Sequence, residues 1–259
     1  DVNVALIGAS VGVDFLWEAH CQTTSDVWLR FFLEHTTGRR ELDHQPLDNA
    51  YPPSRWQFGQ RVLTRSQLRL PVDLPPGQVN LSVEAFDPVT GQAYGRHWGP
   101  IPLSGPTKVG TISVAIRPYK TEAPTLKYDS NASFNGQIRL LGYDIANHAI
   151  VTGSPLTVTV AWQAEQIMET DYSVFLHLLN WEGRIIAQRD MPPGGPELPT
   201  SVWLPGEVVL HEYVLQPDHP LQPGIYHLIL GIYDPVSWQR LRLVGTGEDH
   251  VRLQTIRVD

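Results

Sequence analysis

The chain has 259 residues, 42% of them hydrophobic, and a net charge of -8 at pH 7, which allows one or two domains with real cores and excludes a wholly disordered chain. The acidic balance argues against a nucleic-acid-binding protein, since such proteins present a basic surface. The single cysteine, Cys21, excludes an internal disulfide and a cysteine-based zinc cluster.

Two copies of one pattern follow each other along the chain. The matched residues keep the same order and nearly constant spacing: Trp17/Trp162, Asp26/Asp171, Trp56/Trp203, Gly77/Gly224 and Asp87/Asp234. The offset shifts once, between Arg39 and Ser54, where a loop absorbs the difference at little entropic cost. A repeat of this length is a whole domain rather than a solenoid unit, so it predicts an internal duplication.

Domain boundaries follow from where the repeat starts and stops. Copy one covers residues 1–118 and copy two covers residues 134–259. Between them, Arg117–Pro124 contains two prolines and shows no hydrophobic periodicity. We therefore interpret residues 119–133 as a linker.

Alternation of apolar and polar residues predicts strands in both copies. The clearest alternating segments are Val11–Trp17, Leu29–Leu33 and Val79–Ala85 in copy one, and Leu156–Trp162, Val174–Leu178 and Tyr226–Ile232 in copy two. Short strands joined by Pro/Gly turns, with no helical period, are typical of an antiparallel sandwich. The predicted fold class is all-β: two tandem immunoglobulin-like antiparallel β-sandwiches from an internal duplication.

Two local motifs in this pattern predict structural roles. Asp87-Pro88 and Asp234-Pro235 are typical of turns, because an Asp side chain accepts hydrogen bonds from backbone N–H groups two residues on. Tyr226 fits a tyrosine corner, in which the hydroxyl bonds to upstream backbone. Copy one has Val79 at that position and cannot make this bond.

One outer face differs between the copies. On two strands expected to be neighbours in one sheet, alternation leaves these residues outside in copy two: Phe175, His177 and Leu179 on one strand, His227, Ile229 and Gly231 on the other. The copy-one equivalents are mostly polar: Arg30, Phe32, Glu34, Asn80, Ser82 and Glu84. Copy two is therefore predicted to expose an apolar face, which usually marks an interface.

Aromatic residues are the best candidates for a ligand site, because flat rings stack on the C–H faces of sugars. Trp181 and Trp238 lie in predicted turns and have no aromatic counterpart in copy one, so we predict that they bind carbohydrate. Trp203, beside Glu207, is a further candidate, although its counterpart Trp56 favours a shared structural role. The alternative is that these are partly exposed turn aromatics that bind nothing.

Catalytic and metal sites have little support in the sequence. A glycosidase needs two carboxylates across a cleft, and the available acids, Asp190, Glu207 and Asp234, do not pair on one element. The ten histidines are scattered and lack the spacing of a zinc site. We therefore expect no catalytic residue, no metal and no other cofactor.

Copy two resembles a known family of domains. The resemblance rests on Gln137–Asp144, Asp171–Leu179, Trp203–Glu207 and Pro223–Pro235. These segments are similar to the extracytoplasmic β-sandwich domains that follow the transmembrane part of some bacterial polytopic glycosyltransferases of the GT-C type. The resemblance is clear for residues 134–259 and faint for 1–118. It implies a β-sandwich outside the cytoplasm and no catalytic residue.

These observations predict a non-catalytic, extracytoplasmic accessory or interaction region of a bacterial cell-envelope protein, with a glycan or an envelope protein as partner. The alternatives are a carbohydrate-binding module, a structural subunit of a surface assembly, and a glycoside-active enzyme using Asp190 or Glu207. No apolar run approaches the about 20 residues that cross a bilayer, so membrane contact would need a further segment. The start at Asp1 lacks a signal peptide, as expected of a cytosolic protein, a processed chain or a fragment.

Overall fold

The structure, a computed structural model, describes residues 4–21, 26–36, 38–98, 101–103, 105–146, 155–217 and 219–258. These residues form strands and two short 3-10 helices, which confirms the predicted all-β class. The chain divides into two compact units, Asp1–Arg117 and Pro118–Asp259. No helix in the described ranges has the length and apolar character needed to span a membrane.

The described residues of the first unit form nine strands: β1 (Val4–Leu6), β2 (Ser10–Glu18), β3 (Trp28–His35), β4 (Gly38–Pro46), β5 (Arg61–Arg69), β6 (Gly77–Phe86), β7 (Arg96–Trp98), β8 (Ile101–Leu103) and β9 (Thr107–Ala115). One sheet has the order β1-β9-β6-β3-β4, with β1 parallel to β9 and the other neighbours antiparallel. A second sheet pairs β2 with β5, and β7 forms a hairpin with β8. The parallel pair is a departure from the purely antiparallel sandwich that we expected.

The core of the first unit is built from alternate residues of these strands, as the sequence pattern predicts. Leu29 and Phe31 of β3 and Val79 of β6 are fully buried. Phe15 of β2 contacts Phe31 across the two sheets, with ring centroids 6.1 Å apart. Each such buried side chain contributes about 1.5–3 kcal/mol of stability.

The described residues of the second unit form eight strands: β10 (Tyr128–Phe134), β11 (Ile138–Ala146), β12 (Leu156–Ala164), β13 (Ser173–Asn180), β14 (Ile185–Met191), β15 (Val208–Leu215), β16 (Gly224–Tyr233) and β17 (Val251–Val258). They form two antiparallel sheets with the orders β10-β11-β12-β15 and β14-β13-β16-β17. The Tyr143 hydroxyl of β11 donates a hydrogen bond to the Leu253 carbonyl of β17, which ties one sheet to the other.

Strand β10 occupies part of the stretch that we interpreted as a linker, residues 119–133. It pairs with β11 through a tight hairpin at Asn135-Gly136, both of which have positive φ (51° and 68°). Gln137 N–H donates to Phe134 O at 2.9 Å and closes the turn. Asn-Gly is the strongest short-range hairpin signal in a sequence, and the lack of periodicity upstream concealed it.

The two units share a local framework around a buried tryptophan. Trp56 follows the 3-10 helix Pro53–Arg55, and Trp203 follows the 3-10 helix Thr200–Val202. Each indole N–H donates to a backbone carbonyl, that of Tyr51 at 2.9 Å and that of Leu198 at 3.0 Å. In the second unit the Tyr226 hydroxyl donates to Gln222 O at 2.9 Å, the bond predicted for a tyrosine corner.

The strand orders of the two units correspond along most of their length. The run β17-β16-β13-β14 matches β9-β6-β3-β4, and the pair β12-β15 matches β2-β5. Corresponding strands carry the residues that the sequence repeat places at equivalent positions. The duplication and the immunoglobulin-like topology stay predictions.

Candidate functional site

A cleft of about 330 Å³ lies on the outer face of the sheet β14-β13-β16-β17. Its lining side chains come from three neighbouring strands and the turn after β16: Phe175, His177, Gln188, Asp190, Tyr233, Trp238 and Arg240. Strand pairing brings these residues together, because Phe175 lies opposite Asp190 and Gly231, and His177 lies opposite Gln188. Residues that alternate along one face of β13 and β14 therefore share the cleft.

Phe175 forms the floor of the cleft. Its ring packs so closely over Gly231 that a Cβ there would lie 2.2 Å from the Phe175 Cζ. The Arg240 guanidinium carbon lies 4.3 Å from the centroid of the same ring, which is a cation–π geometry. Glycine at 231 is thus what leaves room for the Phe175 ring in this position.

Asp190 supplies the acidic side of the cleft. Its Oδ2 accepts a hydrogen bond from the Tyr233 hydroxyl at 3.0 Å, and its Oδ1 lies 3.8 Å from His177 Nε2. Burial lowers the pKa of His177 despite the opposing effect of the Asp190 carboxylate, so the imidazole is neutral at pH 7. Burial raises the pKa of Tyr233, which keeps its hydroxyl protonated as a donor to Asp190.

Arg240 supplies the basic side of the cleft. Its Nη1 donates to Asp249 Oδ2 at 3.1 Å, and Asp249 Oδ1 lies 2.7 Å from His250 Nδ1. The hydrogen bond from His250 lowers the pKa of Asp249, with the Arg240 side chain acting in the same direction. The carboxylate therefore stays charged and holds the guanidinium over Phe175.

Trp238 stands at the rim of the cleft. The residue is 73% exposed. One face of its indole stacks on Tyr233, with ring centroids 5.6 Å apart and planes 15° apart, and the other face is free. The residue has φ 62°, the left-handed region that disfavours side chains by about 1–2 kcal/mol. The turn is fixed by Asp234, whose backbone carbonyl accepts from Trp238 N–H at 2.8 Å and whose Oδ1 accepts from Val236 N–H at 2.9 Å.

The predicted carbohydrate-binding residues separate into exposed and buried ones. Trp238 reaches the cleft, and Trp181 is 76% exposed in the turn between β13 and β14. Trp203 is fully buried and Glu207 is buried, with its Oε2 accepting from Leu204 N–H at 2.8 Å. We correct the prediction for these two: neither can touch a sugar, because both belong to the packed loop after β14.

Trp181 and Trp238 lie at opposite ends of the sheet. Asn180 pairs with Tyr226 at one end of β13, and Ser173 pairs with Tyr233 at the other. At about 3.3 Å per residue, the two turns are about 23 Å apart along the strand. The two tryptophans therefore cannot stack on one sugar ring, and only Trp238 belongs to the cleft.

The predicted apolar face is not an exposed patch. Phe175, His177, Ile229 and Gly231 are buried, whereas Leu179 and His227 are half-buried. Phe175, Ile229 and Tyr233 form a small cluster against which Leu179 packs. The prediction is corrected because Tyr233, from the end of β16, and Arg240, from beyond it, help to cover the face within the same unit.

The acidic residues considered for glycosidase chemistry do not form a catalytic pair. Of the described residues that line the cleft, Asp190 is the only carboxylate. Asp234 is engaged in its turn, where the hydrogen bond from Ser237 at 2.6 Å lowers its pKa. The part of the chain that the structure describes contains no group of three or more His, Cys, Asp or Glu arranged to hold a metal ion.

Sequence reasoning missed three residues of the cleft. Gln188 was recoverable, since it lies two positions from Asp190 on the same face of β14. Tyr233 was recoverable from the alternation of β16, which places it outside with Gly231. Arg240 carries no sequence signal, because it reaches the cleft through an isolated β-bridge to Tyr233 after an irregular turn.

Comparison with known proteins adds little. No protein-family model and no curated protein matches the sequence. Among solved structures, the crystal structure of red sea bream transglutaminase aligns with 98% of this chain and 30% of that one, at 11% identity and a TM-score of 0.28. So low a TM-score carries no conclusion about function.

Proposed function

We propose that the chain is a non-catalytic, extracytoplasmic accessory region whose second unit binds carbohydrate in the cleft beside Trp238. The observation that carries the proposal is the Trp238 indole, which is exposed, stacked on Tyr233 and placed by a left-handed backbone. The first unit makes the same turn with Gly91, at φ 70°, and avoids that strain. A tryptophan held in such a strained conformation at the rim of a polar cleft favours contact with a ligand.

The cleft offers both kinds of contact that a sugar needs. The free face of the indole can stack on sugar C–H groups. The side chains of Asp190 and Gln188 can accept hydrogen bonds from hydroxyl groups, and the Arg240 guanidinium can donate to sugar oxygens. Its volume of about 330 Å³ falls within the range of small-molecule sites. We infer a neutral, hydroxyl-rich sugar, because Asp190 and Arg240 bring opposite charges to one cleft.

The remaining parts of the proposal rest on the sequence. The resemblance of residues 134–259 to domains of bacterial GT-C glycosyltransferases supports a place in the cell envelope and an immunoglobulin-like topology. Among the described residues that line the cleft, Asp190 is the one carboxylate, which supports binding rather than glycoside hydrolysis, since hydrolysis needs two. The accessory region would then hold a glycan while another part of the protein or a partner acts on it.

The direct test is a glycan array probed with the whole chain and with Trp238→Gly. Glycine is the residue that the first unit uses in this turn, so the substitution removes the indole and keeps the turn. We expect the wild type to retain a subset of glycans and Trp238→Gly to lose them, with at least a tenfold loss of affinity in a following titration.

Trp181→Gly is the matched control, because Trp181 is equally exposed but lies in the other turn. It should retain the same glycans as the wild type. The proposal fails if no glycan is retained, or if Trp238→Gly retains the same glycans as the wild type. Hydrolysis of a retained glycan that disappears in Asp190→Asn would replace the binding function with an enzymatic one.

A further inference from the structure

Among its described residues, the first unit has an open edge along β2. In the second unit β12 has a strand on each edge, β11 and β15, whereas in the described ranges its counterpart β2 pairs with β5 alone. The strand before β2 goes elsewhere, because β1 pairs parallel with β9 in the other sheet. One edge of β2 therefore presents backbone N–H and C=O groups that no strand of the described chain pairs with.

The core beneath β2 shows the consequence of this open edge. The core-facing residues of β2 are only half-buried: Val11, Val13, Phe15 and Trp17. Their counterparts in β12 are fully buried: Leu156, Val158, Val160 and Trp162. The difference arises because β11 closes that side of the second unit.

A groove of about 580 Å³ runs along the open side. It is lined by β1, the first half of β2, part of β9 and Leu81. Three of its apolar side chains are unusually exposed: Val4 at 60%, Val109 at 40% and Leu6 at 39%. An apolar groove beside the open edge of a strand is the arrangement that receives an added β-strand.

The charged residues of β2 are paired with β5 and do not protect its open edge from pairing with another strand. Asp14 pairs with Arg65 of β5 at 2.6 Å, and Glu18 pairs with Arg61 of β5 at 2.9 Å. Both ion pairs lie on the outer face between β2 and β5. Natural edge strands are commonly protected by charges, prolines or bulges, and β2 continues for nine residues without a bulge in its pairing with β5.

We propose that the first unit binds an extended peptide that pairs with β2 and inserts alternate apolar side chains into the groove. The second unit shows what fills such a place: β11 pairs with β12 and buries Ile138, Leu140, Tyr143 and Ile145. The ligand is thus a strand-forming peptide with apolar residues at alternate positions. This site is separate from the carbohydrate cleft and uses backbone pairing for affinity and side-chain pockets for specificity.

A second copy of the chain fits this groove less well. In a symmetric β2-to-β2 pairing, the apolar side chains of the partner's β2 would face the partner's own core. Such a pairing would extend the sheet through backbone hydrogen bonds but would leave the groove unfilled. A peptide whose apolar side chains are not engaged elsewhere can fill it.

The probe is a dye-labelled synthetic peptide with the sequence of β11, Ile138–Ala146, titrated into the whole chain. We expect saturable binding by fluorescence anisotropy, and slower hydrogen exchange over Ser10–Glu18 when the peptide is bound. A peptide of the same composition with its apolar residues placed consecutively, so that the alternation is lost, should bind at least tenfold more weakly.

Two variants place a charge in the groove without touching a buried side chain, Val109→Asp and Val4→Asp. Each should weaken peptide binding at least tenfold and leave the melting temperature unchanged. If Val109→Asp lowers the melting temperature, Val4→Asp provides the test instead. Val89→Asp, at a 92% exposed turn of the same unit, should bind as the wild type does. Full protection of β2 in the free protein, or equal binding by both groove variants, would overturn the proposal. So would dimerisation that protects β2 without peptide.

Discussion

Both units place an arginine over an aromatic ring in the same region of equivalent sheets. They differ in which strand supplies the arginine and which residue supplies the ring. In the first unit the Arg30 guanidinium of β3 lies 4.3 Å from the ring centroid of Phe86 at the end of β6. In the second unit Phe175 of β13 occupies the position of Arg30, and Arg240 comes from beyond the turn to lie 4.3 Å from its ring.

The exchange also changes how the cation is held beside the turn after β6 or β16. Arg30 of the first unit is held close to the turn, since its Nη2 donates to Gly91 O at 3.4 Å. In the second unit the aromatic floor comes from the strand, the cation comes from the side, and Trp238 rises where Gly91 lies in the first. The same sheet framework thus carries a different arrangement of cation and aromatic ring in each unit.

We expect the largest loss of stability at the buried tryptophan that both units have in common. Trp203→Ala and Trp56→Ala each remove a buried indole and its hydrogen bond to backbone, so each should lower the free energy of unfolding by about 3–5 kcal/mol. Chemical denaturation followed by circular dichroism measures the loss. A loss below about 1 kcal/mol at either position would contradict the framework role of the pair.

Gly231→Ala should come next, with a loss of about 1–3 kcal/mol or more from overpacking. The new methyl group would meet the Phe175 ring at 2.2 Å and the Asp249 carbonyl oxygen at 2.7 Å, and the latter is backbone. Gly110→Ala in β9 is the control, because nothing lies within 4 Å of its added Cβ. If thermal melts show equal losses for both variants, the packing of Phe175 over Gly231 is not what fixes the cleft floor.

The exchange of turn residues should have a smaller, asymmetric effect. Gly91→Ala forces a side chain into φ 70° with open space around it, so it should cost about 1 kcal/mol. Trp238→Gly relieves that strain but loses the stacking on Tyr233, so stability should change by less than about 0.5 kcal/mol. A loss of 2 kcal/mol or more in Trp238→Gly would show that the indole serves the fold and not a ligand.

The smallest effect concerns pH. The folded pKa of His177 lies below its unfolded value of about 6.5, because burial disfavours the charged form. Below about pH 6.5 the unfolded chain therefore binds more protons at this position, and stability falls as pH falls through this window. His177→Phe, which installs the residue that the first unit has at Phe32, should flatten the dependence of the melting temperature on pH between 6.5 and 5. An unchanged slope would contradict a buried neutral imidazole.

The regular strands could be predicted from the sequence because alternation reports directly which side chains face a core. The faces containing Phe31, Val79, Val158 and Leu228 are buried in the structure as the pattern indicates. The prediction of a linker over residues 119–133 missed strand β10, although Asn135-Gly136 is a typical hairpin sequence. The parallel pairing of β1 had no signal, since three residues are too few for a period to show.

The candidate site was predicted only in part, for a different physical reason. Alternation places Phe175 and His177 on the outer face, but it does not say what covers that face. The cover comes from Tyr233 and Arg240, whose positions depend on the turn around Asp234. Tertiary contacts made through an irregular turn leave no periodic pattern in the sequence. Alternation therefore predicts an exposed face where the structure has a buried one.

The most direct test of the account is a titration of the chain with a glycan retained on the array, followed through the indole N–H signals in two-dimensional NMR. We expect the Trp238 signal to shift and saturate, while the signals of Trp181 and of the buried Trp203 and Trp56 stay in place. A shift confined to Trp181, or no shift at Trp238 at saturating glycan, would contradict it.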